Sequence, residues 1–346
     1  MSQPLCVVIT TVQRPTACCV ELARRCTQVN APLLVIGDSK GPDSFEIPGA
    51  AGVRLYSLAE QQQLPYRLAK LLPTGHYARK NLGYLLAMAG AAECIYETDD
   101  DNQPLPGSRW APRSPVARAQ AVAPRPWFNV YRVFTDALVW PRGYPLDRIT
   151  DATTWQHELS APLADHDAPI QQGLADHAPD VDAVWRLVLD RPFDFEHHER
   201  PALWLPPNTW CPFNSQSTWW WPRAYPLMYL PSYCSFRMTD IWRSFIAQRC
   251  LWAMGLGVVF HRPEVRQDRN THNLMRDFAD EVPGYTGNDR LARILAGLEL
   301  SAESSAIADN LRACYAALIE AGFFPPQERL LVQAWCDDLA QLGCTS

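Results

Sequence analysis

At 346 residues, 47% hydrophobic and 20% charged, the chain can bury a large core as one big domain or two closely joined ones. A formal charge of −6 and the lack of any basic run exclude a nucleic-acid footprint. There is no run of about 18 apolar residues to span a membrane, no signal-peptide pattern, and no CxxC or zinc-like spacing among the 11 cysteines. A soluble, cytoplasmic protein with buried, reduced thiols is therefore expected.

In chain order, residues 5–9 form a short apolar, β-rich run that ends in Thr10-Thr11-Val12-Gln13-Arg14-Pro15. A helix over about 16–29 follows, and 33–36 and 53–58 read as the next strands. This alternation is the signature of βαβ units around a parallel sheet. Ligands of such sheets bind beyond the carboxyl ends of the strands. Those ends carry Thr10, Thr11, Arg14, Asp38, Ser39 and Lys40.

A short helix (about 65–72) and a longer one (about 77–89) come next, the second containing Arg79-Lys80-Asn81 near its start. Cations and free N–H groups at a helix start suit a phosphate, although an amphipathic surface helix would carry the same charges. The chain returns as a strand over 91–96 into Glu97-Thr98-Asp99-Asp100-Asp101. Carboxylates emerging from a buried strand repel one another unless a cation or donor lies among them. Such oxygen ligands suit Mg²⁺ or Mn²⁺; a solvated acidic turn is the alternative.

Segment 104–126, rich in Pro, Ala and Arg, reads as a loop. Segments 127–131 and 137–140 read as strands. His157, His166 and His177 form no ligand spacing and read as surface residues. Asp180 and Asp182 flank a valine and share one side of an extended backbone. Residues 204–233 are crowded with aromatics, which beside amides suit sugar stacking or a core under long loops. A helix begins near Thr239-Asp240 and ends at Gly255, a strand follows at 258–261, and the remainder from about 271 reads as a helical cap.

Taken together, Ala78-Arg79-Lys80-Asn81-Leu82-Gly83-Tyr84 and Cys94-Ile95-Tyr96-Glu97-Thr98-Asp99-Asp100-Asp101 resemble the route of a GT-A type glycosyltransferase to its metal-binding DXD motif. The resemblance is closer to the STELLO-type glycosyltransferases. It runs through Gly37-Asp38-Ser39-Lys40, Trp140-Pro141-Arg142-Gly143-Tyr144-Pro145, Pro179-Asp180-Val181-Asp182, Asn214-Ser215-Gln216 and His272-Asn273-Leu274. A more distant likeness is to UDP-arabinopyranose mutases, through Arg142-Gly143-Tyr144-Pro145 and Thr239-Asp240-Ile241-Trp242.

The resemblance implies an α/β fold of GT-A type. A Rossmann-like nucleotide-sugar-binding domain would occupy 1–282, its nucleotide-sugar half about 1–103 and its acceptor half about 127–270. A mixed central sheet and a C-terminal helical cap over 283–346 would complete it. It also implies Mn²⁺ or Mg²⁺, a nucleotide diphosphate sugar donor and a carbohydrate acceptor. It leaves room for peripheral association with glycan-assembly machinery and leaves the oligomeric state open.

By the same resemblance, Thr10, Thr11, Arg14, Asp38, Lys40, Arg79, Lys80 and Asp99 would hold the donor. The STELLO-type metal motif usually reads Asp-Ala-Asp-Asp, which places Glu97 where the first Asp stands. The ligand is then Glu97, Asp99 or Asp101, with Asp99 and Asp101 preferred. A late histidine often completes such sites; that position looks like Arg266 here, with His261 nearby, and His261 is carried as the third metal ligand. Asp240 occupies the place of the catalytic base for an inverting displacement, or is an N-cap. Arg142 occupies the place of the mutases' reversibly glycosylated arginine. Glycosyl transfer, a nucleotide-sugar mutase and a non-catalytic assembly protein that keeps the fold are the three readings.

Overall fold

The first strands carry apolar side chains on both faces, so they belong inside a sheet covered on both sides. The computed structural model describes residues 5–106, 110, 113–157, 159, 162–189, 191–269 and 273–344. In it, β3 (Val53–Tyr56), β2 (Leu33–Ile36), β1 (Leu5–Thr10) and β4 (Cys94–Thr98) lie side by side and parallel.

Alternation along β1 divides the core in two. Val7 and Ile9 face α1 (Ala17–Gln28) with Cys19, Leu22 and Cys26, whereas Cys6 and Val8 face α4 (Lys80–Ala89) with Leu82 and Leu85. The two layers are pinned locally. Thr16 caps α1 by accepting from the Cys19 amide. At Gly83 an added Cβ would lie 2.5 Å from Val8 Cγ1, so only glycine lets α4 approach the sheet this closely. Between β3 and α4 lie α2 (Leu58–Gln63) and α3 (Arg67–Leu71).

Beyond β4 the sheet becomes mixed. β10 (Ser217–Trp220) runs antiparallel to β4, and β8 (Ile170–Asp176), β11 (Val258–Gln267), β9 (Ala202–Leu205), β6 (Val116–Ala121) and β7 (Ala164–Asp167) continue it. β5 (Asn102–Pro104) folds back against the end of β11. The expected α/β, Rossmann-like fold with a mixed central sheet and a helical C-terminal region is therefore present.

Some local expectations fail. The stretch read as a loop holds β6, whose alternation of exposed and buried residues is carried by alanines too weakly apolar to register as a strand. Residues 127–131 and 137–140 are not strands. α5 (Tyr131–Phe134) forms there instead, and the backbone is tied by side chains, Asn129 Nδ2 donating to the Val139 carbonyl at 2.9 Å. Asp182 does not pair with Asp180 on a strand face; it accepts from the Trp185 amide at 2.8 Å, at the start of α6 (Ala183–Leu189).

α7 (Thr239–Ala253) is buried almost all round and forms the spine of the second half. α8 (Leu274–Ala296), which runs through residue 282 without a break, α9 (Ile307–Glu320) and α10 (Glu328–Gln341) pack around it. Thr271 and His272 lie outside the described residues. α10 is joined to the N-terminal half by Asp338, which accepts from the Arg67 and Leu68 amides at 2.7 and 2.8 Å. Among the described residues, no helix is long and apolar enough to cross a membrane.

Candidate functional site

β1 leads outward to β2, whereas β4 lies on the other side of β1. Their carboxyl ends therefore leave a crevice at the point where the connections diverge. A cleft of about 440 Å³ opens there. One bank is formed by residues 10–13 after β1, 38–40 after β2, 75–77 before α4 and 99–101 after β4. The facing bank comes from Arg142, Asp180, Arg186, Gln216, Arg237, Asp240, Gln267 and Arg269.

The acidic stretch emerges from buried β4 and its three side chains have different partners. Asp99 Oδ1 accepts from Lys80 Nζ at 2.7 Å, and Lys80 also reaches the Thr98 carbonyl at 2.8 Å. Asp100 accepts from the Thr11 hydroxyl, and Thr16 Oγ1 donates to its carbonyl at 2.6 Å. Asp101 Oδ2 accepts from Gln267 Nε2 at 3.1 Å, while its Oδ1 is buried with no hydrogen-bond partner among the described residues. Burial, reinforced by Asp99, pushes the Asp101 carboxyl up to about 7. Burial also raises Asp99, against the pull of Lys80. Among the described residues no three His, Cys, Asp or Glu side chains converge on a single metal position. Nearby, Asp38 accepts from the Gly75 and His76 amides, both at 2.9 Å, and so holds the loop that carries Tyr77 into the cleft.

Across the cleft, Arg142 is held on all sides. Its Nε donates to Asp180 Oδ1 at 2.7 Å, its Nη2 to both oxygens of Asp240 at 2.9 and 3.1 Å, and its Nη1 to the Arg237 carbonyl. Gly143 turns the chain here with φ +90°, and an added Cβ would sit 2.4 Å from Ile241 Cγ2. Asp240 lies within the first turn of α7 rather than at its N-cap, and also accepts from the Ser215 amide at 3.3 Å. The Tyr77 hydroxyl accepts from the Asp240 amide at 3.0 Å. Burial pushes the Asp240 carboxyl up, but Arg142, aided by Arg243 and Arg237, outweighs it and holds the group below the usual carboxylate range.

The cleft thus brings together Thr10, Thr11, Asp38, Lys40, Asp99, Asp101, Arg142 and Asp240. The other expected residues stand elsewhere. Arg79 is buried with Nε on Gln61 Oε1 at 2.7 Å and Nη1 on the Leu72 carbonyl at 3.2 Å, so it ties the loop after α3 instead of facing a phosphate. Lys80 is buried and does not line the cleft, but reaches its edge through Asp99. Arg14 is exposed and does not line the cleft. Glu97 is enclosed by Arg243 and the Tyr84 hydroxyl, which removes it from the ligand alternatives.

His261 is not a partner of the acidic stretch. It bonds Gln171 Oε1 at 2.9 Å and lines a separate cavity with Arg113 and Arg262. It stands six residues before Gln267 on β11, a rise of roughly 20 Å. Burial, with Arg113 and Arg262 beside it, keeps its imidazole well below the ordinary range. Trp219, Trp220 and Trp221 are buried in the core rather than offered to a sugar. Sequence reasoning missed Gln267, Arg186, Arg237 and Arg269, which share no spacing and meet only through the fold.

Residues 237–345 match the model of the STELLO glycosyltransferases. "Probable glycosyltransferase STELLO2" of Arabidopsis thaliana is 29% identical over 329 residues, covering 90% of this chain and 42% of its own. "Probable glycosyltransferase STELLO1" of the same plant is 28% identical over 328 residues, 90% of this chain and 41% of its own. The chain spans about two fifths of the length of these curated relatives. A solved mycobacterial protein aligns over 93% of this chain and 76% of its own, at 8% identity and a TM-score of 0.36, too low to bear on fold or function. The family model takes the C-terminal third and the plant relatives nine tenths of the length, which makes this chain a relative of the STELLO glycosyltransferases.

Proposed function

We propose that the chain is a metal-dependent glycosyltransferase that moves a sugar from a nucleotide diphosphate sugar to a hydroxyl of a glycan or other acceptor, with inversion. The observation that carries this reading is Asp101 Oδ1, a carboxylate oxygen buried at the switch-point cleft without a partner and across from the Arg142–Asp240 pair. A divalent cation at Asp99 and Asp101 would relieve both the orphaned oxygen and the repulsion between the two carboxyls. Mg²⁺-type ions take one or two protein carboxylates and complete their shell with water and substrate phosphate, so two donors suffice. Bound there, Mn²⁺ or Mg²⁺ would supply positive charge to the leaving diphosphate.

The chain's own residues do the rest. Thr10, Thr11, Asp38 and Lys40 line the nucleotide end of the cleft. Lys80 holds Asp99 in place. Asp240 takes the proton of the acceptor hydroxyl. Because Arg142 keeps Asp240 weakly basic, that transfer comes late, once the hydroxyl oxygen has begun to bond the anomeric carbon and its proton has become acidic.

A nucleotide-sugar mutase would need a free nucleophilic nitrogen on Arg142. Each of its nitrogens is committed to an acceptor, and although burial opposes its charge, Asp180 and Asp240 keep the guanidinium charged. Transfer is favoured on that ground.

The test is thermal shift with a panel of nucleoside diphosphates, with and without Mn²⁺. A ligand at 100 times its dissociation constant adds about 2.7 kcal/mol of stability. No metal-dependent shift with any nucleotide would sink both enzyme readings and leave the assembly protein. With a donor in hand, Asp240→Asn should lower turnover by about 10²- to 10⁴-fold; unchanged transfer would remove the base assignment.

A further inference from the structure

Beside the Arg142–Asp240 pair, three arginines from separate elements meet. Arg186 comes from α6, Arg237 from the turn before α7, and Arg269 from the chain after β11, and all three line the cleft. Arg237 is paired with Glu281 at 2.8 Å and Arg269 with Asp277 at 2.8 Å, both acids on α8. Arg186 differs from them. It is 6% exposed, lies over the Trp185 ring at 5.5 Å, and its one hydrogen bond among the described residues is from Nη2 to the Pro179 carbonyl at 2.7 Å. Arg142 holds both oxygens of Asp240 and Oδ1 of Asp180, while Oδ2 of Asp180 is buried with no hydrogen bond among the described residues.

A guanidinium so buried ordinarily has a carboxylate or phosphate across from its fork. Burial and the neighbouring Arg269 and Arg237 charges hold Arg186 down to about 10 against the pull of Asp180, and burial and Arg237 lower Arg269 against Asp277. Glu281, Asp277 and Asp180 offset part of the repulsion among the three charges, and an anion at the fork of Arg186 would relieve the rest.

We infer that Arg186, with Arg237 and Arg269, forms an anion site at the acceptor end of the cleft, and that the acceptor carries a phosphate or carboxylate group that binds there. The acceptor assignment rests on the glycosyltransferase reading, which places the donor diphosphate at Asp99 and Asp101. An acceptor anchored by its charge has its hydroxyl held near Asp240 without many sugar contacts. This accords with the burial of the tryptophans in the core.

The experiment is calorimetric titration of the full chain with inorganic phosphate, alone and saturated with Mg²⁺ and whichever nucleoside diphosphate binds. Phosphate should bind in both cases with affinities within threefold. Arg186→Gln and the more exposed Arg269→Gln should each weaken it at least tenfold while nucleotide affinity stays within threefold. Competition of phosphate by glucose 1-phosphate or by glucuronate distinguishes a phosphate-bearing from a carboxylate-bearing acceptor. Competition by neither overturns the inference, as does phosphate that competes with the nucleotide, which would mean that the arginines hold the donor diphosphate. Equal phosphate affinity in both variants also overturns it. If nucleotide binds and phosphate does not, this inference alone falls; if no nucleotide binds, the transfer reading falls and the acceptor assignment with it.

Discussion

Glu97 stands one residue from Thr98 on the strand that delivers the acidic stretch, yet the structure gives it a different task from Asp101, and one substitution separates the two. Arg243 Nη1 donates to Glu97 Oε2 at 2.8 Å, its Nη2 donates to the other oxygen, and the Tyr84 hydroxyl closes the remaining side. The carboxylate is 0% and the guanidinium 1% exposed, and Arg243 lies over the Trp220 ring at 5.0 Å. Burial works against the Arg243 charge, but Glu97 outweighs it and holds the group above its ordinary value.

Glu97→Gln keeps the shape and leaves that cation buried without a counter-charge, a change that costs about 3–5 kcal/mol. For 346 residues, at about 2.1 cal/mol/K of unfolding entropy per residue, 1 kcal/mol corresponds to roughly 1.4 °C, so Tm should fall by about 4–7 °C. Mn²⁺-dependent nucleotide binding, measured by the ligand-induced shift above each variant's own Tm, should survive. Replacing both partners, Glu97→Gln with Arg243→Met, should recover part of the loss, since an apolar pair leaves no unpaired charge. Asp101→Asn should behave in the opposite way: the metal-dependent shift is lost while the ligand-free protein is no less stable. If Glu97→Gln abolishes the Mn²⁺ response and leaves the unliganded Tm where it was, Glu97 is the ligand and the assignment to Asp101 is wrong.

Gly143→Ala places a Cβ 2.4 Å from Ile241 Cγ2 at a φ of +90°; it should cost about 1–3 kcal/mol and, by moving Arg142, lower turnover, with wild-type melting as the contrary result. Asp182, buried and accepting from Trp140 Nε1 and the Trp185 amide, is pushed by burial from about 4 to about 7. Below about pH 4 both states hold its proton, but between about 4 and 7 only the folded state does, so stability falls as pH rises through that window, by about 1.4 kcal/mol per unit. Urea midpoints at pH 5 and 8 should lie closer together in Asp182→Asn than in the parent; an unchanged gap would show that Asp182 does not titrate there. Asp338→Ala removes the acceptor for two amides at the start of α3 and should cost about 1–2 kcal/mol by calorimetry, a loss absent if α10 is held by packing alone.

The parallel half of the fold was legible because its signal is local and redundant. Apolar runs over β1, β2 and β4, a capped helix between the first two and polar residues at each strand end point to the same arrangement. Thr10, Thr11, Asp38 and Lys40 follow from that arrangement, since strand ends in a parallel sheet share one edge. The acidic stretch was legible for the same reason. The second half was less so: its strands pair out of sequence order, β6 is written in alanine, and residues 127–140 satisfy their backbone through Asn129 instead of a ladder.

Side-chain direction was the other thing that periodicity could not supply. Arg79 and Lys80 are neighbours in a helix start, but one turns to the carbonyls after α3 and the other through the protein to Asp99. His261 and Gln267 share β11, yet the length of that strand puts only Gln267 beside Asp101. The sequence by itself determined the sheet edge at which a ligand can bind and the carboxylates that reach it, because strand and helix periods are set by neighbours in the chain. Only the tertiary structure decided that Glu97 belongs to Arg243, that Arg142 is locked between Asp180 and Asp240, and that Arg186, Arg237 and Arg269 face one cavity. Glu97 and Arg243, 146 residues apart, find one another through packing, and no local pattern in the chain records that distance.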